Sequence, residues 1–385
     1  MKIFYLCYED VGNAGAATTH LREVAENLQS LGHNVRIIVP LLHRFRFPVR
    51  AEVVYVPLLP LGRFKELGYY FFLWFTLISL WLKKGVDLLY VREMTLNVVP
   101  FLFAKLFRKR IVVEINGLLT EELKLAGVSN FKIRIIRFFR RINLALSDKI
   151  VTVSKGLKHH IATEYGYSNG KLVVVENGAN PHLFAPMDKL QARRTLRLDE
   201  NGYYLCYVGS FYPHHGLEQT LLIFQQLLTF QPETKLLLIG DGLLKGNTWQ
   251  RTRQLGIENN VLFLHQKLHT DIPKYICASD ACLLLFNGGQ GRIPGISLKI
   301  LEYMACSRPV VAAVGEESGR FVQSLNSGIV VDPQNPEKAA IYIHALLTNE
   351  TLKEKLGALG RNAIVRNYTW QHTAQRLQNV CIDLI

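Results

Sequence analysis

Two successive trains of short apolar runs, most of them set off from the next by a helical pattern, constrain this chain more than any other feature of it. In the first train the runs lie at 2–8, 35–39, 52–56, 88–91, 110–115, 149–153 and 172–175, with a helix expected over 20–30. Runs that are apolar throughout suit strands covered on both faces, as in a parallel sheet with helical crossovers. The pattern breaks after Asn177-Gly178, where PHLFAPMD (181–188) reads as a loop with two prolines. It then restarts, with strands expected at 203–208, 235–239, 261–264, 281–286 and 310–314 and helices at 217–228 and 272–278. The 385 residues therefore read as an α/β chain of two Rossmann-like domains, 1–180 and 181–369, with parallel sheets and a cleft between them. Such sheets bind ligands beyond the carboxyl ends of their strands. That draws attention to the loops after Tyr5, Val91, Ile115, Val208, Ile239, Leu264 and Phe286.

Composition narrows the classes. Hydrophobic residues make up 49% of the chain, enough to build two cores. The 6 cysteines form no CxxC pair and sit among apolar neighbours, so neither a disulfide scaffold nor a zinc site is expected. The N-terminal apolar stretch is too short for a secretory signal. The run YYFFLWFTLISLWL at 69–82 falls short of a bilayer span, so a buried or interfacial helix is expected there. The expected location is cytoplasmic. Most of the net charge of +14 lies in residues 1–180, with one cluster at Arg44, Arg46 and Arg50. In a second, Lys132, Arg134, Arg137, Arg140 and Arg141 interleave with Phe131, Ile133, Ile136, Phe138, Phe139 and Ile142. This reads as a basic amphipathic helix, either in peripheral contact with an anionic membrane at its inner face or solvated on one side and packed on its own domain. No nucleic-acid motif accompanies the charge, so nucleic acid is not an expected partner.

The loops supply the candidate site residues. GNAG (12–15) is not GxGxxG; Gly15 would let a ligand approach the backbone at a helix N-terminus, or it marks a plain left-handed turn. Gly209 and Ser210 open GSFYPHHGLE, where a docked diphosphate would find His214 and His215 as cations, unless both are loop residues without a role. Gly240 lies in the turn after the 235–239 run. The densest segment is PGISLKILEYMAC (294–306), in which Ser297 is a fair N-cap and Ser307-Arg308-Pro309 stops the helix. Glu302 shares a face with Leu298, where a carboxylate needs hydrogen bonds, and the two hydroxyls of a ribose fit it in bidentate fashion. Lys299 stands in the first turn, where the helix dipole disfavours a cation unless an anion sits nearby. An i, i+3 surface ion pair between Lys299 and Glu302 is the simpler alternative.

In order and spacing, YVGSFYPHHG, LLLIGDG, FLHQKLHTDIPKYICASDACLLLF, PGISLKILEYMACSRPVVAA and SGIVVDPQNPE resemble glycosyltransferase family 4. The Gly15 loop, LLYVRE (88–93), VVEING (112–117), VTVSKGL (151–157) and VENGAN (175–180) extend the likeness through the first half. Tyr368-Thr369-Trp370 resembles the family's crossover, by which a helix at about 370–385 returns to the N-terminal domain. The resemblance implies a GT-B fold with an acceptor-side N-terminal domain and a nucleotide-sugar-binding C-terminal one. It implies transfer of a sugar, a hexose in expectation, from a nucleotide-diphosphate sugar to a glycan or lipid-linked acceptor, with retention of configuration and without metal or cofactor. A UDP- or GDP-sugar is expected ahead of an ADP-sugar. On the matching positions, Glu302 would hold the ribose and Gly15 would face the donor phosphates. Ser297, Leu298 and Lys299 would lie beneath the diphosphate, with Lys267 near the base edge.

Three positions depart from the family pattern. Pro294 stands where a glutamate is usual, His215 where a lysine or arginine follows the GS loop, and Asn116 where many members have a histidine. Asn116 can hydrogen-bond a sugar hydroxyl but cannot take a proton. The expected chemistry therefore leans on the leaving diphosphate as base, with backbone amides and Lys299 stabilising the departing charge. A GT-B nucleotide-sugar epimerase and a catalytically inactive partner subunit are the other readings. An NAD-dependent dehydrogenase fits poorly, because GxGxxG is absent and no acidic residue ends the second strand.

Overall fold

The apolar runs become two separate parallel sheets in the computed structural model, which describes residues 1–385 except 13–14, 43–46, 60–64, 95, 126, 168–169, 213–214 and 287–294. Arg44, Arg46, His214 and Pro294 thus lie outside the described residues. The chain divides into two units, one of Met1–Asn177 with Trp370–Ile385 and the other of Gly178–Thr369.

In the first unit, β1 (Lys2–Leu6), β2 (Asn34–Pro40), β3 (Glu52–Val56), β4 (Leu88–Arg92), β5 (Arg110–Ile115), β6 (Lys149–Thr152) and β7 (Leu172–Val174) form one sheet. Its order is β3-β2-β1-β4-β5-β6-β7, and every neighbouring pair is parallel. The order reverses between β1 and β4, the switch point at which doubly wound sheets open a crevice. Ile3, Phe4, Leu6, Leu88, Leu89, Ile111 and Val112 are fully buried, as strands covered on both faces require. The helices are α1 (Ala16–Ser30), α2 (Lys65–Lys84), α3 (Val99–Leu106), α4 (Leu119–Leu125), α5 (Asn130–Leu146) and α6 (Lys155–Tyr165). Helix α1 begins before the expected His20, because AATT already makes a turn in which the Thr19 N–H donates to the Gly15 carbonyl.

The apolar run at 69–82 lies inside α2, and among the described residues no helix is long and apolar enough to cross a membrane. Tyr69, Leu73 and Leu77, spaced i, i+4, i+8, are buried in the core, while Phe71 is 58% and Phe75 53% exposed on the opposite face. Helix α5 is likewise two-faced. Ile133, Ile136 and Leu144 are buried; Phe131 is 74% and Phe138 62% exposed beside exposed Lys132, Arg134 and Arg141. Arg140 departs from the expected basic face: it is buried and ion-paired with Glu93 at 2.5 Å. Arg137 is tied to Glu164 at 2.7 Å.

The second unit repeats the scheme with β8 (Tyr204–Val208), β9 (Lys235–Ile239), β10 (Val261–Phe263), β11 (Ala281–Leu284), β12 (Val310–Ala313) and β13 (Gly328–Val331). These form an all-parallel sheet ordered β10-β9-β8-β11-β12-β13. Its helices are α7 (Lys189–Leu196), α8 (Leu217–Phe230), α9 (Lys245–Gln254), α10 (Ile272–Ala278), α11 (Leu298–Ala305), α12 (Glu317–Ser324), α13 (Pro336–Leu347) and α14 (Glu350–Asn367). The chain then returns to the first unit as α15 (Trp370–Ile382), which packs on α1. The Trp370 ring stands edge-on to His20, and Thr373 Oγ1 donates to the Glu176 carbonyl at 2.9 Å.

Candidate active site

In the second unit the candidate residues gather at the carboxyl ends of β8 and β9. Past Val208, the Gly209 N–H donates to the Ile239 carbonyl at 2.9 Å; past Ile239, the Gly240 N–H donates to the His265 carbonyl at 3.1 Å. The loops are stacked so closely that a Cβ on Gly240 would lie 1.9 Å from the Gly209 oxygen. One on Gly209 would lie 2.1 Å from Lys299 Nζ. Both glycines take a positive φ, near 150°, which L side chains rarely adopt. Backbone at these two strand ends is therefore bare. Ser210 uses its carbonyl to receive the Tyr207 hydroxyl at 3.1 Å and also accepts from His215 Nδ1. His215 is thus folded back on the loop, its ring edge-on to Phe286.

Helix α11 supplies the charged groups. Its position is fixed by Tyr303, whose hydroxyl receives the Val208 N–H at 2.9 Å. Ser297 occupies the N-cap position as expected, but its hydroxyl makes no capping bond. Its backbone N–H instead donates to Ser318 Oγ at 3.2 Å, and that hydroxyl donates to the Gly295 carbonyl at 3.0 Å. The N-terminal turn, with half-buried Leu298, therefore has no side-chain cap among the described residues. Lys299 does not form the simple surface pair with Glu302. Its stem is half-buried, and its Nζ is shut off from solvent, 5.0 Å from the Tyr207 ring centroid, with no hydrogen-bond partner among the described residues. Burial pulls the ammonium down from the ordinary 10.5 to about 8, against the opposing pull of the Glu302 charge.

Glu302 has a different partner, His269, whose Nε2 lies 2.8 Å from Oε1. His269 was not singled out from the sequence; it sits in the loop between β10 and α10, with its ring against Phe184. Half-buried Lys267 is in the same loop.

In the first unit, Gly15 is the N-cap of α1 with φ 179°, extended backbone rather than the left-handed turn weighed above. A Cβ there would meet nothing within 4 Å among the described residues. Asn116 follows β5, its Nδ2 shielded from solvent beside Glu114. Glu114 is 1% exposed, ion-pairs with His20 and accepts from the Tyr5 hydroxyl at 3.1 Å. Burial would raise its carboxyl, but His20, Arg92 and Asn116 together outweigh burial and hold it at about 2. The signal for this cluster was in the sequence, a carboxylate inside the apolar run of VVEING.

Residues 188–363 match the model of glycosyl transferases group 1, and residues 17–183 match that of glycosyltransferase family 4. The N-acetyl-alpha-D-glucosaminyl L-malate synthase of Bacillus anthracis is 22% identical, over 100% of this chain and 97% of that protein. A D-inositol 3-phosphate glycosyltransferase of Segniliparus rotundus is 27% identical over 61% of this chain; the alignment spans 52%, about half, of that relative's length. Among solved structures, sucrose-phosphate synthase from Thermosynechococcus elongatus superposes with a TM-score of 0.80 at 18% identity, covering 100% of this chain and 98% of that one. Anabaena HepE in complex with UDP and glucose gives 0.78 at 19%, with 100% of both chains covered. The structural likenesses establish the GT-B fold.

Proposed function

The chain belongs to glycosyltransferase family 4, and from that membership we propose that it moves a sugar from a nucleotide-diphosphate sugar to a glycan or lipid-linked acceptor. The observation that carries the reading is the Lys299 ammonium, buried and without a hydrogen-bond partner among the described residues beside the bare backbone of Gly209. An unpaired buried charge is costly, and a diphosphate at the N-terminal turn of α11 would neutralise it. On this reading Ser210, Gly240, Ser297, Leu298 and His215 line the diphosphate's seat, Glu302 takes the ribose hydroxyls and Lys267 stands by the base; Gly15, in the first unit, is assigned to the donor phosphates by the family likeness alone.

The bond from the sugar's anomeric carbon to the diphosphate breaks. The acceptor oxygen bonds to that carbon on the same face, and its proton passes to a departing diphosphate oxygen. Configuration is retained, and no side chain serves as base; Asn116 orients a sugar hydroxyl. Lys299 and the α11 amides stabilise the charge that grows on the leaving group. UDP and GDP are the favoured nucleotides, and the solved complex of HepE with UDP-glucose supports the first. Titration calorimetry with UDP, GDP and ADP tests the donor class: micromolar to millimolar binding of one, weakened about tenfold or more by Lys299→Ala, is expected. No binding of any of the three would end the proposal. In transfer assays Lys299→Ala lowers kcat far more than Asn116→Ala; equal losses would return a catalytic role to Asn116.

A membrane-adjacent acceptor fits the first unit. The exposed Phe71 and Phe75 of α2, and Phe131 and Phe138 of α5 beside Lys132, Arg134 and Arg141, support peripheral contact with anionic lipid.

A further inference from the structure

Glu302 does not wait for its ligand alone. The ring of His269, reaching in from the loop between β10 and α10, has its Nε2 2.8 Å from Glu302 Oε1. A hydrogen bond to a carboxylate acceptor requires the proton on that nitrogen. The other ring nitrogen, Nδ1, is closed off from solvent and has no partner among the described residues. The ring stands 5.0 Å from the buried Phe184 ring at 60°, so packing limits its swing. Glu302 itself has three rotatable side-chain bonds and only partial cover, its side chain 14% exposed. Nothing in α11 alone would hold such a carboxylate in one rotamer.

We infer that His269 is a positioning residue that pins Glu302 Oε1 so that the carboxylate meets both hydroxyls of the donor's ribose in a preset orientation. An ionised carboxylate has about four lone-pair sites, so one bond from His269 leaves room for two hydroxyl donors. The gain is preorganisation. An ordered side chain saves the nucleotide the entropy of freezing it, an effect of about three- to tenfold in affinity. The inference rests on the reading of Glu302 as the ribose acceptor, and the test separates the two.

Calorimetry compares UDP with 2′-deoxy-UDP, and GDP with 2′-deoxy-GDP, on the full chain. The wild-type protein is expected to prefer the ribonucleotide by about tenfold. His269→Leu weakens the ribonucleotide by about three- to tenfold and leaves the deoxynucleotide nearly unchanged, so the preference shrinks. His269→Gln, whose amide nitrogen reaches a similar point, restores it. Should His269→Leu fail to fold, as judged by thermal unfolding without nucleotide, His269→Asn replaces it, its amide too short to reach Oε1. Equal weakening of both nucleotides, or an undiminished preference, overturns the positioning role while leaving Glu302 as the ribose residue. A wild-type protein indifferent to the 2′-hydroxyl overturns the ribose reading itself.

Discussion

At the scale of single residues, the proposed role of Lys299 in donor binding ties function to stability. Its ammonium is harder to keep charged in the fold than in the unfolded chain, about 8 against the ordinary 10.5. Between those values the unfolded chain holds a proton that the folded one has lost, so stability of the unliganded protein rises with pH from about 8 to about 10.5. Below pH 8 the folded chain carries the full burden of the buried charge, on the order of 3 kcal/mol. Lys299→Met is therefore expected to stabilise the unliganded fold at pH 7 by about 2 kcal/mol, seen as a higher thermal midpoint, and to weaken nucleotide binding. A midpoint that falls would contradict the desolvation account. For the wild type, nucleotide affinity weakens as pH climbs through 8, because binding must then restore the proton; calorimetry from pH 7 to 9.5 reads it. Gly209→Ala is gentler: the new methyl strains a backbone at φ 151° and pushes aside the flexible end of Lys299, so about tenfold weaker nucleotide binding in a folded protein is expected. Lys299 and Glu302 could be picked out from one short segment because helix periodicity and dipole logic are local. His269 could not, since in the chain helix α10 and strand β11 lie between its loop and the helix that carries Glu302, and no periodicity links them.

At the scale of elements, the expected strands were legible almost to their ends, while β13 (Gly328–Val331) was not expected as a strand. Both faces of each sheet are covered, so apolar runs alone mark them, and runs such as 52–56 and 235–239 coincide with β3 and β9. Element starts set by backbone bonding were not, as the early onset of α1 shows. Helices α2 and α5 were recognisable from their apolar residues, but which of those residues face outward depends on packing. The exposed ones make a separate prediction. Phe71→Ser with Phe138→Ser leaves the stability to thermal unfolding within about 0.5 kcal/mol of the parent, because neither side chain is in the core. The same pair of changes is expected to lower flotation with anionic vesicles, while neutral vesicles bind neither protein. Equal flotation of parent and variant would remove these helices from the contact.

At the scale of the whole molecule, the two units have separate sheets and separate cores. Two unfolding transitions are therefore expected in calorimetry, with UDP or GDP raising the one that belongs to Gly178–Thr369 by mass action. Trp370→Ala, which removes a buried indole at the return of the chain, should destabilise the other unit by about 3–5 kcal/mol and lower its transition. The break near 178–190 and the crossover near 370 were both visible in the sequence, the first as a loss of alternation and the second only through likeness to other chains.

That return has a consequence for how the protein is made. Helix α1 emerges from the ribosome early, yet its packing partner α15 is translated only after every residue of Gly178–Thr369. At about 5–20 residues per second, the buried face of α1 waits tens of seconds for its cover. The inserted unit has all its strands and can close while still tethered, so the order of maturation runs inside out: the later-translated sheet finishes before the earlier one is sealed.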